Sequence, residues 1–350
     1  MPIATVGITL QYEKTVGRAE FSGPGFRNPV AMARGEDDTM YVVSRSYEYR
    51  PDGKRITICT VDEDYIGEFA RGVTDVGESE ASSADGSIVW PTDIAINSEG
   101  NVYVADEWLN RISIYTSEGE FIAKWERPGS GDGEWNKPSG LAFDKDDNLY
   151  MVDSGNHRVQ KFTKDGQFLL KWGQQGTGDG EFNLPFGIGL DQQGNVYIAD
   201  WRNDRIQKFT ADGKFLMKFG KPGAGAGELN RPTSVAVDKD GTIYVTDWNN
   251  DRLQAFNPDG SFAAMTYGEG EISTWGKGKL DANPEMWEER KIAQGLDREK
   301  KFWGPIAVTV DDEGRIFVVE TARSRIQIFR KQAPVFYGVN EKVAGGGGRL

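Results

Sequence analysis

The sequence predicts an all-β fold: a six-bladed β-propeller with four-stranded antiparallel blades, closed by an N-terminal strand that completes the last blade. Three observations carry this reading. Prolines recur with a constant period of 47 residues at Pro91, Pro138, Pro185 and Pro232, with further copies around Pro29 and Pro305. An aromatic follows each proline by 12 residues, at Tyr41, Tyr103, Tyr150, Tyr197, Tyr244 and Phe317. Each repeat holds four short β-like segments, the pattern of a propeller blade.

In the copy that starts at Pro185 these segments are PFGIGLD, NVYIAD, RIQKFT and KFLMKFG. β-branched and aromatic residues dominate them, and Asp-Gln-Gln-Gly, Asn-Asp and Ala-Asp-Gly turns separate them. One such sheet cannot bury both faces, so it needs neighbours stacked around an axis. A second register places an arginine four positions before a large residue: Arg111/Tyr115, Arg158/Phe162, Arg205/Phe209, Arg252/Phe256 and Arg325/Phe329. The first copy has Arg55/Cys59, so the single cysteine fills a slot that is aromatic elsewhere and reads as a packing residue. The chain ends explain closure. Gly17 precedes Pro29 by 12 residues, as Gly173 precedes Pro185 and Gly220 precedes Pro232. Residues 11–16 therefore read as a fourth strand without its first three, and the last copy supplies three through 325–329. Residues 1–335 form one domain, and 336–350 a tail.

Composition narrows the function classes. There are 41 Lys and Arg against 54 Asp and Glu, a formal charge of −13, with no long basic run. That balance argues against nucleic acid as a partner. One cysteine allows no internal disulfide. No apolar stretch is long enough for a membrane span. The N-terminus MPIATVGITLQYEK lacks a basic region followed by a long apolar run, which favours the cytoplasm over secretion.

The Pro-x-Gly starts, the GNVYVAD strand and the Asp-x-x-Asn-x-Arg turn resemble the NHL-repeat family. The turn is DSGNHR at 153–158, with the variants DWRNDR and DWNNDR. The resemblance spans roughly residues 8 to 330 and implies the fold. That family includes RNA- and protein-binding propellers, the lyase half of peptide-amidating enzymes, and relatives of lactonases. Amidating lyases hold a metal with several histidines, and streptogramin lyases use a catalytic histidine with metal-binding acids. This chain has one histidine, His157, in an ordinary repeat turn. Lactonase relatives hold calcium with acids and amides at the inner strand starts. Here those positions are Val30, Thr92, Ser139, Phe186, Thr233 and Ile306, a poor cage for a hard cation. No metal or cofactor is expected. The DKDG and DKDD turns lack the distal ligands of a calcium loop. The GxGxGE runs open no helix, so they read as blade connectors. The spaced pairs Asp106/Arg111, Asp153/Arg158, Asp200/Arg205, Asp247/Arg252 and Glu320/Arg325 read as structural.

The site is expected on the upper face, where loops joining strands two and three meet the blade-to-blade connectors. Both departures from the period fall there: Pro29 to Pro91 spans 62 residues and Pro232 to Pro305 spans 73. Within the 268–301 insertion, Asn283, Pro284 and Gly295 bracket one short helix that could lie over the channel mouth. The turn after each second strand lines that mouth. Arg45, Tyr47, Trp108, Trp201, Arg202, Trp248, Asn249 and Arg323 are candidates there, with Trp303 of the insertion, and Thr92 and Asp93 at the inner strand start. Turn tryptophans suit ligand and partner sites, though they can also wedge between blades. The expected function is binding of a small molecule, peptide or protein at this face. The alternative is a lyase or hydrolase in the central cavity without a histidine-rich metal centre, drawing on Arg45, Tyr47, Asp93, Arg202 or Arg323.

Overall fold

The computed structural model describes residues 7–46, 51–71 and 84–332. The expected tail 336–350 lies outside them, as does most of the polar link after blade one. Six four-stranded antiparallel sheets form the ring. Blade one comprises Pro29–Arg34, Thr39–Ser44, Arg55–Thr60 and Tyr65–Phe69. Blade two runs through Pro91–Ile96, Val102–Asp106, Arg111–Tyr115 and Phe121–Glu126. Pro138–Phe143 opens blade three, Ile188–Leu190 blade four, and Pro232–Val237 blade five. Blade six takes Pro305–Val310, Arg315–Glu320 and Arg325–Gln332, and its fourth strand is the N-terminal segment Thr9–Val16.

That closing strand pairs antiparallel with Arg325–Gln332, from Thr9 opposite Gln332 to Val16 opposite Ile326. The core lies between blades. Six buried clusters fill the six seams; the closing one joins Val16, Phe26, Met40, Cys59, Phe317 and Ile328. The aromatics at the 12-residue offset are buried, and several bind across a seam. The hydroxyls of Tyr41, Tyr103 and Tyr150 donate to the carbonyls of Ser117, Lys164 and Ala211 in the next blade. An aromatic with a polar tip suits that place because its ring fills the seam while the hydroxyl finds a partner.

The first strand of blade four is shorter than the sequence pattern suggests, and its glycines show why. A Cβ on Gly187 would meet the Thr233 carbonyl oxygen at 2.3 Å, and one on Gly189 would meet that of Val235 at 2.4 Å. Only glycine lets blades four and five approach this closely.

The insertion holds three helices rather than one: α1 (Thr274–Asp281), α2 (Pro284–Ile292) and α3 (Leu296–Lys300). Pro284 opens α2 as expected, but the Asn283 side chain makes no capping bond. Gly295 does not end α2; at φ 75° it is the residue that opens α3. Helix α1 contains two glycines, so local propensity alone does not announce it. It is anchored by tertiary contacts. Ser273 caps it and donates to the Gly17 carbonyl, the Trp275 amide donates to Glu63, and the Trp275 ring packs on Phe26 at 5.9 Å.

Candidate functional site

The acid–arginine pairs are clamps on the glycine-rich connectors. In blade three, Arg158 Nε donates to Asp153 at 2.7 Å, Nη1 to the Ser130 carbonyl, and Nη2 to those of Gly131 and Glu134. Arg205 and Arg252 repeat this set in blades four and five. The expected Asp106/Arg111 pair does not form. Asp106 instead accepts the amides of Val89, Trp90, Trp108 and Leu109, and Arg111 approaches Glu126 at 3.5 Å. In blade one, Arg55 pairs with Glu68 of the fourth strand at 3.0 Å, which replaces the missing acid at Ser44.

His157 belongs to another repeated tie. Its Nδ1 accepts the Leu184 amide at 3.0 Å. Asn110, Asp204, Asp251 and Ser324 hold the same register and accept the amides of Lys137, Arg231, Gly304 and Asn28. The Ser324 tie closes the ring between blades six and one. Burial holds the His157 ring below its ordinary pKa, which keeps it the neutral acceptor this tie requires.

The central channel is nearly filled at the inner strand starts. The space among Thr92, Asp93, Ser139, Phe186, Thr233 and Ile306 is about 20 Å³. Thr92 is buried, and its hydroxyl donates to the Pro138 carbonyl at 2.9 Å; Ser139 does the same to Phe186 at 2.8 Å. Asp93 accepts the amides of Ile94 and Leu141, both at 2.9 Å. Burial outweighs these two bonds and pushes its carboxyl up to about 7.

Above this plug, each turn after a second strand is pinned to its own incoming connector. The amides of Arg45, Glu107, Gly155, Arg202, Asn249 and Thr321 donate to Asn28, Trp90, Asn136, Asn183, Asn230 and Gly304. The turn residues therefore form a fixed ring. Three arginine-on-indole stacks stand on it. The Arg45 guanidinium lies 4.7 Å from the Trp90 ring, Trp201 has Arg231 at 5.0 Å and Arg202 at 5.4 Å, and Arg323 lies 5.7 Å from Trp303. Arg45 also donates to the Pro91 carbonyl at 2.6 Å, and burial lowers its pKa to about 10. Trp108 is 67% exposed and Trp303 59%, so both present open aromatic surface. Trp248 is half-buried beside Gly304. Tyr47 and its neighbour Tyr49 lie outside the described residues.

Of the insertion tryptophans, only Trp303 joins this ring. Trp275 wedges into the outer seam of blades six and one, and Trp287 donates to Asp281 beside α2. The insertion is thus tied to the flank of blade six. Between it and the Thr321–Ser324 turn lies a groove of about 340 Å³ that reaches Arg18, Leu280, Arg290, Trp303, Arg323 and Arg325. Sequence reasoning missed this groove, because its walls come from segments that only the closed ring brings together. A larger hollow of about 530 Å³ on the lower face is walled by ion pairs: Arg315 binds Asp311 at 2.6 Å and Arg34 binds Asp38 at 2.8 Å. Among the described residues, no three His, Cys, Asp or Glu side chains converge as metal ligands.

Four stretches, 136–162, 182–209, 229–256 and 302–329, match the family described as NHL repeat. The chain carries NHL repeats. The matched stretches fall in blades three to six; the irregular clamps of blades one and two lie outside them. No curated protein sequence matches the chain. Among solved structures, a streptogramin B lyase is 12% identical, covering 93% of this chain and 98% of its own, with a TM-score of 0.55. A Bacteroides thetaiotaomicron protein of unknown function is 18% identical, covering 93% of this chain and 76% of its own, at 0.59. A chain of a nidogen–laminin complex is 16% identical, covering 74% and 93%, at 0.50. At these identities the likeness is one of fold.

Proposed function

We propose that this NHL-repeat propeller is a binding protein that takes a peptide or protein partner on its upper rim. The observation that carries the reading is the set of three arginine-on-indole stacks fixed around a channel that narrows to about 20 Å³ of space at the inner strand starts. Buried arginine and tryptophan anchors supply most of the energy at protein interfaces, and here both are held in place before binding. At that level the channel is too narrow for a substrate, which favours recognition across the rim. Arg45, Lys137, Arg202, Arg231 and Arg323 stand there with Glu107, Asp204 and Asp251, a local excess of cations in a chain of net charge −13. Such a rim suits a partner with acidic and aromatic side chains. The nidogen–laminin neighbour shows the same architecture in a protein assembly.

A displayed random-peptide library tests this. The wild-type chain should enrich acidic, aromatic sequences, and Trp201→Ala and Trp248→Ala should each lose at least tenfold in affinity with unchanged melting. Equal affinity in both variants would remove the rim from consideration. The second reading, a lyase or hydrolase, draws support from Asp93, whose carboxyl near 7 is poised for proton transfer. It requires the plug formed by Phe186 and its neighbours to open.

A further inference from the structure

We propose that the groove between the inserted helices and the upper turn of blade six binds a small organic oxyanion, a carboxylate or phosphate on an apolar body. The argument starts from the repeat. In blades three to five the clamp arginine satisfies Nη1 with the connector carbonyl 28 residues earlier: Ser130, Thr177 and Ala224. In blade six α3 replaces that stretch. Arg325 keeps its Nε bond to Glu320 at 2.6 Å and its Nη2 bonds to the carbonyls of Glu299 and Lys301. Its Nη1 has no hydrogen-bond partner among the described residues, and the residue lines the groove.

The neighbouring charges sharpen this. Arg290 is matched by Glu299 in a forked pair at 3.2 and 2.6 Å. Arg18 donates to the carbonyls of Pro24 and Trp275 and lies 3.4 Å from Glu20. Glu271 on the edge faces Lys300 at 3.8 Å. Arg323 is different. It spends Nε and Nη2 on the carbonyls of Lys301 and Arg298, and the nearest carboxylate, Glu320, is 3.9 Å away and already bound to Arg325. Burial and the Arg325 charge hold its guanidinium below its ordinary pKa. An anion bridging Arg323 and Arg325 would relieve both.

The rest of the groove fits an apolar body. Trp303, 59% exposed, stacks with Arg323, and Leu280 and Ile272 form the opposite wall. About 340 Å³ is the volume of a small-molecule site. The insertion, the upper turn of blade six and the closing strand's exit, Gly17 to Ala19, all line the groove, so the site exists only in the closed ring.

The test is calorimetric titration of the full chain with phenylacetate, phenyl phosphate and the neutral phenylacetamide. Both anions should bind with dissociation constants on the order of 0.1–1 mM and weaken as salt is added, and the amide should bind at least tenfold more weakly. A tenfold preference between the two anions assigns the head group. Arg323→Gln should lose at least tenfold, and Leu280→Trp, which fills the groove without removing a charge, should abolish binding while peptide selection by the rim persists. Should Arg323→Gln fail to fold, Leu280→Trp decides. No binding of either anion by the wild type, equal binding of the amide, or unchanged binding in a folded variant overturns the proposal and leaves the rim reading untouched.

Discussion

Asp93 and Arg205 show how much a single side chain decides in this ring. The Asp93 carboxyl sits near 7 when folded against an ordinary 3.8. Between those values the folded chain keeps a proton that the unfolded chain releases, so stability is full below about pH 4 and falls as the pH rises toward 7. Replacing Asp93 with Asn removes that loss. The stability of Asp93→Asn relative to wild type should rise by about 2 kcal/mol between pH 5 and pH 8. Thermal melts across that range measure it; a constant difference would show that Asp93 is ionised throughout. Arg205 is the opposite case, a buried cation whose hydrogen bonds reach Asp200 and three connector carbonyls. Arg205→Met strands all of them and should cost about 3–5 kcal/mol in chemical denaturation. Cys59, whose thiol burial pushes up to about 12, should react with thiol reagents only on unfolding.

At the scale of elements, the repeat made most of the fold legible. The proline period placed the first strands, the tyrosines the second, and the arginines the third, because each residue type does the same job in every seam. Where the job changes, the pattern misleads. Asp106 and Arg111 carry the right spacing, yet the connector approaches differently: Val89 and Trp90 donate their amides to the acid, and the Ser87 carbonyl accepts from Arg111. The insertion was the hardest element to read. TWGKGKLD has the composition of a loop and becomes helical because Ser273 and Trp275 are fastened to Gly17 and Glu63, more than 200 residues away. Local propensity holds no trace of such contacts. The rim tryptophans, by contrast, stood out early, because a turn offers an indole no sheet face to pack on. Arg45, Arg202 and Arg323 are legible with them from the same turn positions, but Arg231 is not, because it reaches Trp201 across a connector.

On the scale of the whole molecule, acids occur on both faces, but the two faces differ in what accompanies them. The lower turns between first and second strands, such as 144–147, 238–241 and 311–314, are rich in Asp, while the upper turns set arginine and tryptophan among their acids. Association of an acidic peptide with those arginines should slow as salt rises, readable in stopped-flow fluorescence of the rim tryptophans.

The last strand pair has a mechanical consequence. Thr9 lies opposite Gln332, so the start of one strand and the end of the other sit at the same edge of the ladder. Pulled apart at those two points, the pair is loaded one rung at a time, like tape lifted from a corner. In an optical trap the first rip should come at low force and release the Thr9–Val16 strand before any other blade yields. Handles fixed at Thr9 and Ile326 would instead strain all rungs together and demand a much larger pull.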